Sequence, residues 1–140
     1  MAAPKLNFRL LLDQYGIPSL DGPRPLRLVA NELIQLQIQV MQLQTGFIPP
    51  VYTPIDITGW TGVWVGKANQ SDADGSALWN VAATLVTPAQ GLAEFDVPKA
   101  SVGPNPINLG FSEVIFKPDT SNPQIRLPLI FTVTTPGVTI

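Results

Sequence analysis

Apolar and polar residues alternate along most of the chain with the two-residue period of half-buried β-strands. The pattern is clearest in 31–44, where Leu36, Ile38 and Val40 are separated by glutamines. Short segments rich in Gly, Pro, Asp and Ser interrupt the alternation about every 8–12 residues. This spacing is typical of a β-sandwich or a β-barrel. We therefore predict an all-β fold of about seven to eight strands. The other clear alternating segments are 6–12, 93–97, 107–116 and 125–133.

Three details of the pattern lead to more specific predictions. The phase of the alternation changes between Val40 and Met41, as a β-bulge would cause. Residues 77–86 are expected to form one strand centred on Trp79. Pro128 lacks an N–H group, so the last strand is predicted to lie at the edge of its sheet.

The chain of 140 residues suits a single core. We assign 1–30 to an N-terminal strand and a Pro-rich arm, 31–135 to the β-sandwich, and 136–140 to a C-terminal tail. The Pro-rich segments 18–25 and 49–54 are expected to be semi-rigid and to lie against neighbouring subunits, with Pro49 and Pro50 as contacts.

Composition excludes several functional classes. Charged residues make up 13% of the chain, against roughly 25% in ordinary domains, and its eight Lys and Arg residues form no basic stripe. Nucleic-acid binding is therefore not expected. The chain has no Cys and no His, so we predict neither an enzyme nor a metal or cofactor site. No apolar run approaches the length of a membrane span, and no membrane partner is expected.

The segment from Ile55 to Asn69, IDITGWTGVWVGKAN, is predicted to be a turn followed by a strand. Its core face carries large and small residues in alternation, which lets indole rings lie across glycine backbone. The opposite face is also apolar because it carries Val63 and Val65. We expect a neighbouring subunit or the N-terminal arm to cover them. The proposed core face consists of Trp60, Gly62, Trp64 and Gly66.

Gln35, Gln37 and Gln39 line one face of the longest predicted strand. They fit two interpretations equally well. The row is either an ordinary polar sheet face or a surface that forms uncharged hydrogen bonds with another subunit.

Short motifs in three strands resemble a known family. Asp56-Ile57-Thr58-Gly59 opens a strand, Gly91-Leu92-Ala93-Glu94-Phe95-Asp96-Val97 follows a hairpin, and Gly110-Phe111-Ser112-Glu113-Val114-Ile115-Phe116 precedes the last strand. Together they are similar to the immunoglobulin-like β-sandwich domain at the N-terminus of tailed-phage baseplate upper proteins. The resemblance spans 31–133. It implies an immunoglobulin-like antiparallel β-sandwich and a structural, oligomeric, non-catalytic role. The Pro-rich N-terminal arm is an addition to the family's pattern.

We therefore expect a virion structural protein of a tailed phage, in the tail, baseplate or fibre-attachment region. Its expected partners are further copies of itself in a symmetric homo-oligomer and other virion proteins. One alternative is a capsid decoration protein. Another is a module that binds host glycans by stacking on Trp60 and Tyr52, whereas Trp64 and Trp79 are expected in the core.

Overall fold

The computed structural model describes residues 5–22, 26–30, 32–69, 71, 77–103, 105–118 and 124–134. This part of the chain is almost entirely β-structure, with a 3-10 turn at Pro88–Gln90 and one short helix, α1, at Lys99–Val102. Its strands are β1 Lys5–Leu12, β2 Pro18–Asp21, β3 Leu26–Val29, β4 Ile34–Gln44, β5 Val51–Pro54, β6 Thr61–Lys67, β7 Trp79–Ala82, β8 Thr84–Thr87, β9 Leu92–Val97, β10 Ile107–Lys117 and β11 Ile125–Thr134.

The strands form two sheets that pack as a sandwich. Sheet A has the order β2-β1-β4-β9-β8, and β5 also pairs with β4; sheet B has the order β3-β11-β10-β6-β7. The predicted all-β sandwich is confirmed. Two parts of the prediction are wrong: the described residues contain eleven strands, and both sheets are mixed, because β1 pairs with β4 and β3 with β11 in parallel.

The N-terminal segment belongs to both sheets. Phe8 and Leu10 of β1 lie beside Ile38 and Val40 of β4 and are buried with them. β2 then extends sheet A, while β3 extends sheet B beside β11. Residues 1–4 and 23–25 of the predicted arm, and the predicted tail 136–140, lie outside the described residues.

The phase change after Val40 is not a bulge in the pairing with β1. The register of β1 with β4 runs without a shift from Lys5 opposite Gln35 to Leu12 opposite Gln42. On the other edge of β4, the partner changes from β9 to β5 beyond Gln39. The turn at Gly91 fits between these two partners, with φ at 75° and its carbonyl accepting from the Val40 N–H at 2.8 Å. The polarity of β4 therefore changes because its surroundings change.

The predicted strand 77–86 is divided between the two sheets. β7 pairs with β6 in sheet B, and β8 pairs with β9 in sheet A. Ala83 is the crossing point, and its N–H donates to the Gly62 carbonyl at 2.8 Å. The single alternating segment 77–86 therefore contributes one strand to each sheet.

Pro128 does not place β11 at a sheet edge, since β11 lies between β3 and β10. β3 pairs only with the second half of β11, from Phe131 to Thr134. Pro128 lies in the first half, beyond the register of β3, which explains how proline is tolerated there.

Aromatic rings packed on glycine backbone form the centre of the core. Trp64 and Trp79 are 0% and 3% exposed, as predicted, and their ring centroids are 5.1 Å apart. A Cβ atom on Gly66 would lie 2.2 Å from the Trp79 ring. The predicted pattern of rings over glycines is therefore confirmed, but the ring over Gly66 comes from the neighbouring strand.

Both buried indole N–H groups lack a hydrogen-bond partner among the described residues. Each unsatisfied donor costs about 1–3 kcal/mol. Packing of the two rings against their neighbours offsets this cost.

Candidate contact surfaces

The outer face of sheet B carries a cluster of apolar side chains on its three central strands. Val65 of β6 lies opposite Glu113 of β10, and Val63 lies opposite Ile115. Both valines alternate with the buried residues of β6 and are half-buried on the outer face. The structure thus places Val63 and Val65 side by side on a surface away from the core.

A groove of about 290 Å³ crosses this face. Its apolar lining is formed by Val65, Phe111, Ile115 and Pro128. Glu113 also lies in the groove, opposite Val65 on one side and Pro128 on the other, and its carboxylate accepts from the Arg126 guanidinium at 2.6 Å. The groove therefore combines apolar side chains with a central ion pair.

The predicted alternative that the N-terminal arm covers Val63 and Val65 is wrong for the described residues. β1 and β2 lie in sheet A, on the other side of the core. β3 continues the plane of sheet B at its edge and does not fold over its outer face. Contact with a neighbouring molecule stays as the prediction for the two valines.

The outer face of sheet A is polar over the matching region. Gln35 and Gln37 lie opposite Asp96 and Glu94 of β9, and the Gln39 amide donates to the Gln90 carbonyl at 3.0 Å. A depression of about 390 Å³ lies beside this row, next to the exposed ion pair of Arg9 with Asp21. The glutamines are half-buried by their neighbours in the sheet. Both interpretations of the row stay open.

The β4–β5 hairpin carries apolar residues that the sequence analysis did not single out. Ile48 is fully exposed and Phe47 is 57% exposed. The predicted contact residues Pro49 and Pro50 lie in the same exposed tip, and the Ile48–Pro49 peptide bond is cis. One signal could have revealed this surface: residues 33–55 contain no charged side chain.

The β1–β2 hairpin lies beside the β4–β5 hairpin at one end of sheet A. β1 and β4 run in parallel, and the Gln42 amide donates to the Asp13 carbonyl at 2.9 Å. Asp13 in turn accepts from the backbone N–H groups of Tyr15 and Ile17, which fixes the turn. Tyr15 is 79% exposed, and Ile17 is 61% exposed. Four large apolar side chains are therefore presented at this end of the domain.

Trp60 and Tyr52, the residues predicted to stack on a glycan, lie in different parts of the sandwich. Trp60 immediately precedes β6 and packs on Phe116 of sheet B with a centroid distance of 6.2 Å. Tyr52 lies on β5 in sheet A, opposite Leu43. Each is half-buried, and their role in stacking stays a prediction.

The Asp-Ile-Thr-Gly segment forms a local turn. The Asp56 carboxylate accepts from the Thr58 hydroxyl and from the Thr58 N–H, the latter at 2.9 Å. These bonds favour the ionised form and lower the pKa of Asp56. The buried Ile57 next to it anchors the turn to the core, and its N–H donates to the Pro88 carbonyl at 2.8 Å. The motif thus sets the entry of the chain into β6.

The described residues contain no group of three or more acidic, His or Cys side chains arranged to hold a metal ion. No helix within the same ranges is long and apolar enough to cross a membrane.

Comparison with solved structures finds similarity to the N-terminal domain of phage TP901-1 ORF48. The TM-score is 0.50 with 8% sequence identity, over 94% of this chain and 97% of that chain. At this identity the similarity shows a shared fold. No protein-family model matches the chain, and no curated protein sequence matches it.

Proposed function

We propose that the chain is a non-enzymatic structural protein of a tailed-phage virion, in the tail, baseplate or fibre-attachment region. Two lines of reasoning support a phage role. The sequence motifs resemble a domain of phage baseplate upper proteins, and the whole fold is similar to a domain of a phage protein. The first line of reasoning compares amino-acid motifs, and the second compares the path of the backbone.

The observation that carries the proposal is the cluster of apolar side chains on the outer face of sheet B. Val63, Val65 and Phe111 lie on a sheet face that no described element of the chain covers. Free domains usually keep such a face polar, and contiguous apolar patches on it mark contacts with other proteins. A subunit of a symmetric particle, in contact with further copies and with other virion proteins, has this kind of surface.

Mass spectrometry of purified particles, separated into head and tail fractions, tests the location. We expect peptides of this chain in the tail fraction, in a fixed ratio to other tail proteins. Peptides confined to the head fraction would instead support the capsid decoration alternative. Absence from both fractions would contradict a virion role.

A matched pair of variants tests the contact face in the same particles. Val63→Asp places a charge on the outer face of sheet B, and Asn7→Asp places one on the outer face of sheet A, where Asn7 of β1 is exposed. We expect Val63→Asp to reduce incorporation strongly and Asn7→Asp to leave it near the wild-type level. Equal incorporation of both variants would argue against sheet B as the contact face.

A further inference from the structure

We propose that the outer face of sheet B docks on an acidic surface of a different virion protein. The proposal rests on the proposed virion role and adds the chemistry of the partner. It is carried by the distribution of charge between the two sheets and by the groove across β6, β10 and β11.

Positive charge is concentrated on sheet B. Its strands contain four basic residues and a single acidic residue, Glu113, which gives a net charge of +3. All of these side chains lie on the outer face, because each alternates with buried residues of its strand. The whole chain has a net charge of −2, so subtracting the +3 of sheet B leaves −5 on everything else. The four basic residues are Arg27, Lys67, Lys117 and Arg126.

The strands of sheet A carry little net charge. They contain two basic and three acidic residues, a net charge of −1. The outer face of this sheet has the row Gln35, Gln37 and Gln39 where sheet B has apolar side chains. Sheet A of a second copy would therefore match sheet B weakly, and sheet B of a second copy would repel it. A different protein with an acidic surface is the better electrostatic complement.

The groove has a basic residue toward each end. Lys67 lies opposite Phe111, and Arg126 lies opposite Ile115. Phe111 and Ile115 are four residues apart on β10, which at about 3.3 Å per residue corresponds to about 13 Å. Apolar side chains thus lie between two cations, and carboxylates of a partner can meet the cations while its apolar side chains enter the groove.

The carboxylate in the middle of the groove already has a partner within the sheet. Glu113 lies between Val65 and Pro128 and accepts from Arg126 Nη1 at 2.6 Å. Arg126 Nη2 also donates to Gln124 Oε1 at 3.0 Å. A guanidinium has five N–H donors, so these two bonds leave others for a partner. The ion pair therefore orients Arg126 and reduces the repulsion between Glu113 and an acidic partner.

The mixture of charged and apolar groups fits a protein rather than a nucleic acid. A phosphate backbone presents regular negative charge and has no apolar side chains for the lining of the groove. It would also place phosphates against Glu113. Protein interfaces combine an apolar centre with a polar rim, and complementary charge directs association and fixes the register of the two partners.

Zero-length crosslinking of purified particles tests the proposal. A water-soluble carbodiimide joins a lysine amine to a carboxylate where the two are in contact, and mass spectrometry identifies the joined residues. We expect Lys67 and Lys117 to be joined to Asp or Glu residues of a different virion protein. Lys99 of α1 is the control, because it is exposed and lies outside sheet B; we expect no such link from it.

Two results of the crosslinking would overturn the proposal. One is that Lys67 and Lys117 are joined to carboxylates of this chain alone, which would indicate a second copy as the partner. The other is that neither lysine is joined to any protein. Both results would leave the virion role standing, because the chain must be present in the particle to be analysed.

A matched pair of charge reversals provides a second measurement. Lys117→Glu alters sheet B and Lys99→Glu alters α1; both residues are exposed, and both variants change the net charge equally. We expect Lys117→Glu to lower incorporation into particles at least about tenfold, because like charges across an interface are strongly unfavourable. Lys99→Glu should be incorporated near the wild-type level. Equal incorporation of the two variants would overturn the proposal.

Folding of both variants is checked by the fluorescence of the buried tryptophans. If Lys117→Glu does not fold, Arg27→Glu replaces it, because Arg27 is exposed on the same face.

Discussion

The outer faces of the two sheets differ, although the strands behind them have the same alternating pattern. On sheet A, Gln35, Gln37 and Gln39 lie among acidic neighbours. On sheet B, Val63 and Val65 lie beside a groove that combines apolar side chains with the charged Glu113. Both faces cover the same core.

We propose that this difference marks the face that is adapted for contact. A polar face is stable in water and needs no partner. An apolar face gives no benefit to an isolated domain and favours association. Four sets of variants test whether the two sheets share one core and differ only in what their outer faces contact. Their expected effects decrease from the first set to the last.

Trp64→Ala should have the largest effect, because the ring lies between both sheets. Trp64 is fully buried and packs edge-on against Trp79 and Phe95. Its loss should lower the free energy of unfolding by about 3–5 kcal/mol, measured by urea titration. Both faces should lose structure in one transition. Separate transitions for the two sheets would show that they do not share one core.

Gly66→Ala should have the next largest effect on stability. Together with its control, it compares the inner and the outer face of β6. The added methyl group would lie 2.2 Å from the Trp79 ring, so the ring must move. We expect a loss of about 1–3 kcal/mol in the free energy of unfolding. The control Val65→Ala removes atoms on the outer face of the same strand and should cost less. A larger cost for Val65→Ala would indicate that the outer face is part of the folding core.

One ion pair on each outer face provides a smaller, matched comparison. Arg126 pairs with Glu113 on sheet B, and Arg9 pairs with Asp21 on sheet A. Both pairs are about half exposed, so Glu113→Gln and Asp21→Asn should each change stability by about 0–1 kcal/mol. Only Glu113→Gln should alter incorporation into particles. An equal effect of both variants on incorporation would remove the distinction between the faces.

Asp56 should give the smallest effect, visible only in acid. Hydrogen bonds from Thr58 lower its pKa below the ordinary value of 3.8 in the folded state. Its contribution is therefore fully present above about pH 4 and is lost as the pH falls through the lowered value. Urea titrations of wild type and Asp56→Asn at neutral and acidic pH should show a smaller acid loss in the variant. The same acid loss in both chains would show that Asp56 does not act through this turn.

The sequence predicts the alternating strands well because a half-buried strand leaves its period in the residues. β1, β6, β9, β10 and β11 lie where the alternation places them. The pairing of these strands is not encoded in the period, since a strand shows the same pattern beside any partner. This is why the parallel pairs of β1 with β4 and of β3 with β11 were not predicted.

The short strands were missed for a different reason. β2 and β5 have four residues each and are bordered by proline and glycine, so their composition is that of a turn. The division of 77–86 between two sheets is also invisible in the alternation, because Ala83 fits either sheet.

The candidate surfaces were partly predictable. The apolar outer face of β6 follows from the alternation, which places Val63 and Val65 on the face of the strand that points away from its glycines. The groove does not follow from it, because Phe111 and Pro128 reach Val65 only through the order of strands in sheet B. Exposure of Phe47 and Ile48 depends on how far the hairpin extends beyond β1, which is a property of the register.

Hydroxyl-radical footprinting of the assembled particle and of the dilute isolated chain tests the central claim most directly. Phe111 and Ile115 report on the outer face of sheet B, and Leu92 reports on the outer face of sheet A beside Gln39. We predict that assembly protects Phe111 and Ile115 and leaves the oxidation of Leu92 unchanged. Protection of Leu92 with no change at Phe111 and Ile115 would contradict the assignment of sheet B as the contact face.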